Sequence, residues 1–341
     1  MKRLYIILSA ALIALSSCHK QEEWDNDPMG NFDALWTIID EHYCFFEYKD
    51  IDWKAVGETY RAKVRPDMTS KELFVVCSDM VNELRDGHTN LISSWDVSHY
   101  RFWEDYPQNY DKRIVEQYYL NYNFKTASGI DYAIMSNNMG YMYYGDFATN
   151  IGEGNLDYLL AELAGTDGLV IDVRDNGGGF LTNAEKLIAR FIDTKIYAGA
   201  ISHKTGPGHN DFSEPYDYYF SPSDAGRIRY LKPIVILTNR SSYSATNNFV
   251  SIMKYRPNVK IVGDATGGGS GMPFTSELPN GWTIRFSACS ITDPEGNITE
   301  WGVEPSEGCK IDNTPEDTYN HRDAILELGF ATLEKMIATT H

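Results

Sequence analysis

The sequence predicts an α/β protein, with a helical N-terminal domain leading into a core of mainly parallel strands. Two patterns carry this. Between Asn31 and Leu84, apolar residues recur at helical spacing. From Gly140 onward, short apolar, β-branched runs alternate with amphipathic stretches, the rhythm of strands joined by crossover helices.

The chain opens with Met1-Lys2-Arg3, an apolar run from Leu4 to Leu15, and Ser16-Ser17-Cys18. The run is too short to span a bilayer and reads as a signal peptide over residues 1–17. Leu15-Ser16-Ser17-Cys18 resembles a bacterial lipobox, which implies acylation of Cys18 and a lipid-anchored protein of the cell envelope. The anchor could face the periplasm or the outer surface of the outer membrane. Residues 18–30 are polar and acidic and read as a tether. Phe32, Leu35, Trp36, Ile39 and Tyr43 mark a first helix. A second covers Trp53–Val64 and closes at Pro66, and a third runs from Ser70 as N-cap to about Leu84. With the apolar Asn90-Leu91-Ile92 they form an N-terminal helical domain over 31–92. Residues 93–139 show little periodicity and are expected to be an irregular connection or a short hairpin.

The core is expected over 140–341. Its strands are Tyr141–Phe147, Gly168–Val173, Ile234–Leu237 and Val259–Val262, and its helices Asn155–Ala164, Asn183–Phe191 and Ala245–Tyr255. A β-rich stretch follows over Gly281–Ile291, and a last helix over Arg322–Ile337.

The formal charge is −18, and loss of Lys2 and Arg3 with the signal peptide takes it to −20. Such a chain is a poor partner for nucleic acid, whose phosphates require Lys and Arg. Cys44, Cys77, Cys289 and Cys309 contain no CxxC pair. They read as buried thiols or as one of three disulfide pairings. No His cluster has metal-ligand spacing, so neither a metal nor a cofactor is expected.

Four elements carry chemistry. Ser244 follows the strand Ile234–Leu237 and precedes the helix from Ala245. A serine at such a turn exposes its hydroxyl above a helix N-terminus, whose dipole stabilises an alkoxide and the oxyanion it makes. The Ala245 N–H is placed to donate to that oxyanion. Asp175-Asn176-Gly177-Gly178-Gly179 follows a buried strand and frees backbone N–H groups. It lacks the Lys and spacing of a phosphate loop, so Gly177 or Gly178 reads as a second oxyanion donor. His88, in Asp86-Gly87-His88-Thr89, has the titration range of a general base. Glu300, in Glu300-Trp301-Gly302-Val303-Glu304-Pro305, is a carboxylate that could orient such a base. Each has an ordinary structural reading as a turn, cap or loop residue.

Their order is more specific than any one of them. DGHT, DVRDNGGG, SSYSATN, a glycine-rich loop and EWGVEP together resemble the C-terminal processing (tail-specific) serine peptidases. Within that family the chain looks closest to the branch of the tricorn protease core. Trp36, Tyr43 and Ile51-Asp52-Trp53 resemble the helical part of that branch. The resemblance covers roughly residues 30–310. It implies a ClpP/crotonase-like ββα-superhelix core and peptide-bond hydrolysis through an acyl-enzyme. It places the nucleophile on Ser244, the base on His88, the supporting glutamate on Glu300 and the oxyanion donors on Gly177 or Gly178 and Ala245.

Three departures follow. The tail-specific branch pairs its serine with a lysine in the glycine-rich loop, but Asp264–Gly271 contains none. The tricorn-type serine before the histidine is replaced by Gly87, which makes Asp86 a rival to Glu300 as the group orienting His88. Residues 93–139 are 47 in number, below the roughly 50 of a small domain, so no PDZ domain is expected there. The expected substrate is a peptide or unfolded protein. A peptide-binding lipoprotein that has lost turnover, or an esterase, is the alternative.

Overall fold

The computed structural model describes residues 24–340. The expected signal peptide, Cys18 and the first part of the tether lie outside the described residues. The tether is shorter than its expected end at residue 30. Helix α1 (Pro28–His42) starts on Asp27, whose carboxylate accepts the Gly30 N–H at 2.8 Å. A one-turn helix, Phe46–Lys49, separates α1 from α2 (Trp53–Arg61), which is capped by Asp52. Helix α3 (Ser70–Asn82) is capped by Thr69, not Ser70. The Thr69 hydroxyl and the Glu72 carboxylate exchange bonds in a capping box.

Strand β1 (Asn90–Ile92) leads into the segment expected to be irregular. That segment contains β2 (Lys125–Ala127) and β3 (Ile130–Ile134). They are joined through Ser128 and Gly129, both at positive φ (50° and 77°), the backbone of a tight hairpin. β3 pairs antiparallel with β4 (Met139–Tyr144). The core therefore begins near residue 125 rather than 140. The boundary was hidden because Lys125–Ala127 is exposed at a sheet edge and carries no apolar alternation.

The main sheet has the order β2-β3-β4-β5-β8-β9. Strands β4, β5 (Gly168–Asp172), β8 (Ile234–Thr238) and β9 (Val259–Gly263) run parallel. Helices α4 (Glu153–Leu163), α5 (Leu181–Ile188) and α6 (Ala245–Met253) cover one face. Leu159, Leu187 and Phe249 pack there against Leu169, Ile171 and Ile236. The alternate strand residues Val170, Val235 and Val262 face α7 (Ala324–Thr340), where Leu326 and Leu333 bury them. Burial on both faces explains why these strands are continuously apolar in sequence. At the end of β5, the fully buried Arg174 binds Asp172 through Nε and Nη2, and binds Asp323 at the start of α7 through Nη1 at 2.8 Å. This pairing explains why three charged side chains can sit in the core.

A second, antiparallel sheet has the order β1-β11-β6-β7, with β10 also on β11. Its strands β6 (Ile196–His203), β7 (Tyr216–Phe220) and β10 (Gly271–Glu277) were not anticipated; β11 spans Thr283–Ile291. The N-terminal helices pack directly on this sheet. Phe32, Leu35, Trp53 and Cys77 share one apolar cluster with Trp282, Ile284 and Phe286 of the second sheet. The four cysteines among the described residues are buried and free. No described helix is long and apolar enough to cross a membrane.

Candidate active site

The parallel strands deliver three loops to one end of the sheet, the end where open α/β sheets carry their sites. The loop after β5 holds Gly177 and Gly178, the turn after β8 holds Ser244, and the loop after β9 holds Gly267–Gly269.

Ser244 stands immediately before α6 with φ 60° and ψ −121°. This is a conformation that L-residues avoid, at a cost of about 1–3 kcal/mol unless neighbours enforce it. Here they do. The Ser244 N–H donates to the Gly268 carbonyl at 2.9 Å, and the Tyr243 N–H to the Asn176 carbonyl at 3.0 Å. The Gly267 N–H donates to the Ser242 carbonyl at 2.9 Å. The Ser242 hydroxyl is buried and donates to the Val173 carbonyl. Ser242 is therefore part of the turn's frame, and only Ser244 projects its hydroxyl toward an imidazole: Ser244 Oγ lies 2.9 Å from His88 Nε2.

The glycine loop is locked by Asn176, which the sequence did not single out. Its side-chain oxygen accepts from the Gly178 N–H (3.0 Å) and the Thr246 hydroxyl (2.7 Å), and its amide donates to the Tyr144 carbonyl (2.8 Å). The Gly178 N–H is thus engaged and the residue buried, so it is not the free donor the sequence offered. Gly178 instead permits close packing. At φ +96°, a Cβ on it would lie 2.7 Å from Ser244 Cβ and 2.6 Å from the Tyr243 carbonyl. Gly177 is exposed and lines a cavity with Ser244.

His88 enters from the N-terminal half. Its N–H donates to Asp86 Oδ1 at 2.7 Å, and Arg285 donates to its carbonyl at 3.2 Å. Its ring packs beside Tyr243 at 4.9 Å between centroids. Burial pushes the imidazole down to about 4; Asp86 opposes this and Arg285 adds to it. The ring's Nδ1 makes no hydrogen bond. The Gly271 carbonyl is close enough to favour the protonated ring, without the alignment of a bond.

Neither candidate orienter reaches the ring. Asp86 holds the backbone of His88, and its other oxygen accepts from the Tyr43 hydroxyl at 2.9 Å. Glu300 accepts from Lys49 Nζ at 2.8 Å and from the Ser270 N–H at 2.9 Å. The assignment of Glu300 as the direct partner of His88 is therefore corrected. Its carboxylate pins the glycine loop whose Gly268 holds Ser244. Lys49 unites the two halves. It is 4 % exposed, pairs with Glu300, lies 3.8 Å from Asp86, and donates to the Leu84 and Arg85 carbonyls just before His88. Burial would raise Asp86, but Lys49 and the His88 group hold it below its ordinary value. Burial and the Asp86 charge push Glu300 up. Lys49 favours the ionised form of both carboxylates, but burial and the charge of Asp86 outweigh it at Glu300.

The two departures around His88 also have a structural basis. A Cβ on Gly87 would come 2.8 Å from the Tyr243 hydroxyl, and one on Gly269 would come 2.5 Å from the Tyr243 ring. Tyr243 fills the space beside both loops. Two cavities flank the Ser244–His88 pair, about 290 Å³ and 520 Å³ in volume. No cluster of His, Cys, Asp and Glu suited to a metal occurs among the described residues.

The chain matches the model of "Peptidase family S41" over residues 138–307 and that of the "Tricorn protease C1 domain" over 25–82. It is 47% identical to a Parabacteroides merdae protein described as a "putative peptidase", whose crystal structure superposes with a TM-score of 0.85, covering 91% of this chain and 97% of that one. The carboxy-terminal processing protease CtpB of Bacillus subtilis (strain 168) is 24% identical over 184 residues. That match covers 53% of this chain and 36% of CtpB, so it spans about a third of the relative's length. The crystal structure of the tricorn protease, at 15% identity and a TM-score of 0.53, covers 91% of this chain and 37% of that one, and shares the fold.

Proposed function

We propose that this chain, which belongs to peptidase family S41, is a serine peptidase that cleaves peptide or unfolded-protein substrates through an acyl-enzyme on Ser244. The observation that carries this is the 2.9 Å contact between Ser244 Oγ and His88 Nε2, at a turn whose strain is maintained by its neighbours. With its pKa near 4, the His88 ring is neutral at pH 7 and able to accept a proton. His88 Nε2 takes the Ser244 proton as Oγ bonds to the substrate carbonyl carbon. The oxyanion forms between the Ala245 and Gly177 N–H groups, at the positive end of α6. The His88 imidazolium then protonates the departing amine, supported by the Asp86 charge. Water deacylates Ser244 by the same route in reverse.

Labelling tests the nucleophile. A fluorophosphonate probe should modify Ser244, and Ser244→Ala should abolish the modification. Label that persists in that variant, or moves to Ser242, would overturn the assignment.

We also propose that Cys18 carries a lipid anchor and that the protein acts in the cell envelope, on the strength of the sequence Leu15-Ser16-Ser17-Cys18. Cys18→Ala should release the protein from the membrane fraction. Retention there in unchanged amount would argue against the anchor.

A further inference from the structure

Arg285, on β11, has no role in the proton transfers above, yet it stands at their centre. It lines both cavities that flank Ser244 and His88. In the 290 Å³ cavity it is the only lining residue of permanent charge among the described residues. The other walls are apolar or neutral: Phe180, Leu181, Met272 and Pro273 on one side, Asn247 and Ser251 on the other.

The side-chain hydrogen bonds of Arg285 use a single nitrogen. One nitrogen, Nη1, donates to the His88 carbonyl and to Asn90 Oδ1, each at 3.2 Å. Both acceptors are neutral, and the guanidinium carries five N–H donors in a fork that matches a carboxylate. No carboxylate lies within ion-pair distance of it among the described residues. Asp86 acts on it from further away, but is already committed to Tyr43, Lys49 and the His88 N–H. Asp175 lines the larger cavity and is tied to Asn239 at 2.7 Å; it does not line the smaller one. A half-buried arginine without an anionic partner, beside a reactive serine, is poised to receive one from outside.

We propose that Arg285 is a specificity-determining residue that binds a carboxylate of the substrate in the 290 Å³ cavity. This rests on Ser244 being the nucleophile. The carboxylate could belong to an acidic side chain beside the scissile bond or to the free C-terminus of the peptide.

Three matched peptides separate these sources: a neutral peptide amidated at its C-terminus, the same peptide with one Gln replaced by Glu, and the neutral peptide with a free terminus. Two readouts apply to the full-length protein, kcat/KM for cleavage and protection of Ser244 from fluorophosphonate. Wild type should favour at least one carboxylate-bearing peptide by about tenfold or more, the worth of a charge-assisted bond. Preference for the Glu peptide assigns a side chain, and preference for the free terminus assigns tail recognition. Arg285→Gln should reduce that ratio to near one, Arg285→Lys should keep part of it, and Arg285→Glu should invert it in favour of the neutral amidated peptide.

Equal cleavage of, and equal protection by, all three peptides in wild type would overturn the proposal. So would a uniform loss in Arg285→Gln with the ratio preserved, which is the mark of a residue that only holds the His88 carbonyl. Folding of each variant is checked by its melting curve, and the Lys variant keeps the test open if Gln unfolds. Absence of label on Ser244 in wild type would instead refute the serine-peptidase reading itself.

Discussion

The nucleophile and its base are held by opposite means. Ser244 is fixed by backbone: a turn at φ 60°, carbonyls of Gly268 and Asn176 receiving its frame, and a glycine with no room for a side chain. His88 is fixed by buried charge: Asp86 accepts its backbone N–H, and Lys49, paired with Glu300 251 positions away, holds the carbonyls just before it. The backbone frame meets charge at one point, where the Glu300 carboxylate accepts the Ser270 N–H. Charge frames depend on every member, because removing one leaves another buried and unpaired.

This contrast can be broken most sharply at the meeting point. Ser244→Ala should lower kcat/KM by about 10⁴-fold or more while leaving the melting temperature nearly unchanged, since the strained turn loses only its hydroxyl. Peptidase activity surviving within tenfold of wild type would end the assignment. Lys49→Met attacks the charge frame. It should cost about 3–5 kcal/mol of stability, the penalty of stranding buried carboxylates, measured by chemical denaturation. Adding Glu300→Gln should restore part of that loss; a double variant no more stable than the single would show that the two residues are uncoupled.

Gly178→Ala attacks the backbone frame. Its Cβ must enter 2.7 Å from Ser244 Cβ at a positive φ, so about 1–3 kcal/mol of stability should be lost. The rate of fluorophosphonate labelling should fall with it, and an unaltered rate would mean that the loop yields freely. The smallest effect concerns pH. The His88 ring, pushed down to about 4, is neutral above that value and protonated below it. The acid limb of kcat/KM should therefore fall near pH 4–5, with little change between 5.5 and 7. A limb at the ordinary histidine value near 6.5 would show that the ring is better solvated than its burial implies.

The same contrast explains what was legible in the sequence. Backbone frames leave a mark in residue type. Gly178-Gly179 and Gly267-Gly268-Gly269 are glycines because other residues do not fit, and the apolar β5 and β8 announce the turns that follow them. Charge frames leave no such mark. Lys49 sits in a local run of aromatic residues, and nothing near it indicates Glu300. Which glycine offers its N–H was also invisible, because it depends on where the Asn176 side chain points. In the fold, the doubly buried strands and long helices were readable from periodicity. β6, β7 and β10 were not. Gly199 and Pro273 interrupt two of them, and Tyr216–Phe220 pairs at an edge with little burial. The packing of the N-terminal helices on the second sheet was hidden for a related reason, since Trp282, Ile284 and Phe286 complete a core begun by Phe32.

That shared core bears on the order in which the molecule comes into being. Chains emerge from the ribosome N-terminus first, at about 5–20 residues per second. The helices that carry His88 leave early but find Trp282, Ile284 and Phe286 only when nearly the whole polypeptide has followed. Lys49 likewise waits for Glu300. During synthesis the serine and the histidine have no common frame, so the Ser244–His88 pair is assembled last. A nascent chain thereby carries a serine and an imidazole that meet only when its last hundred or so residues have folded back on its first.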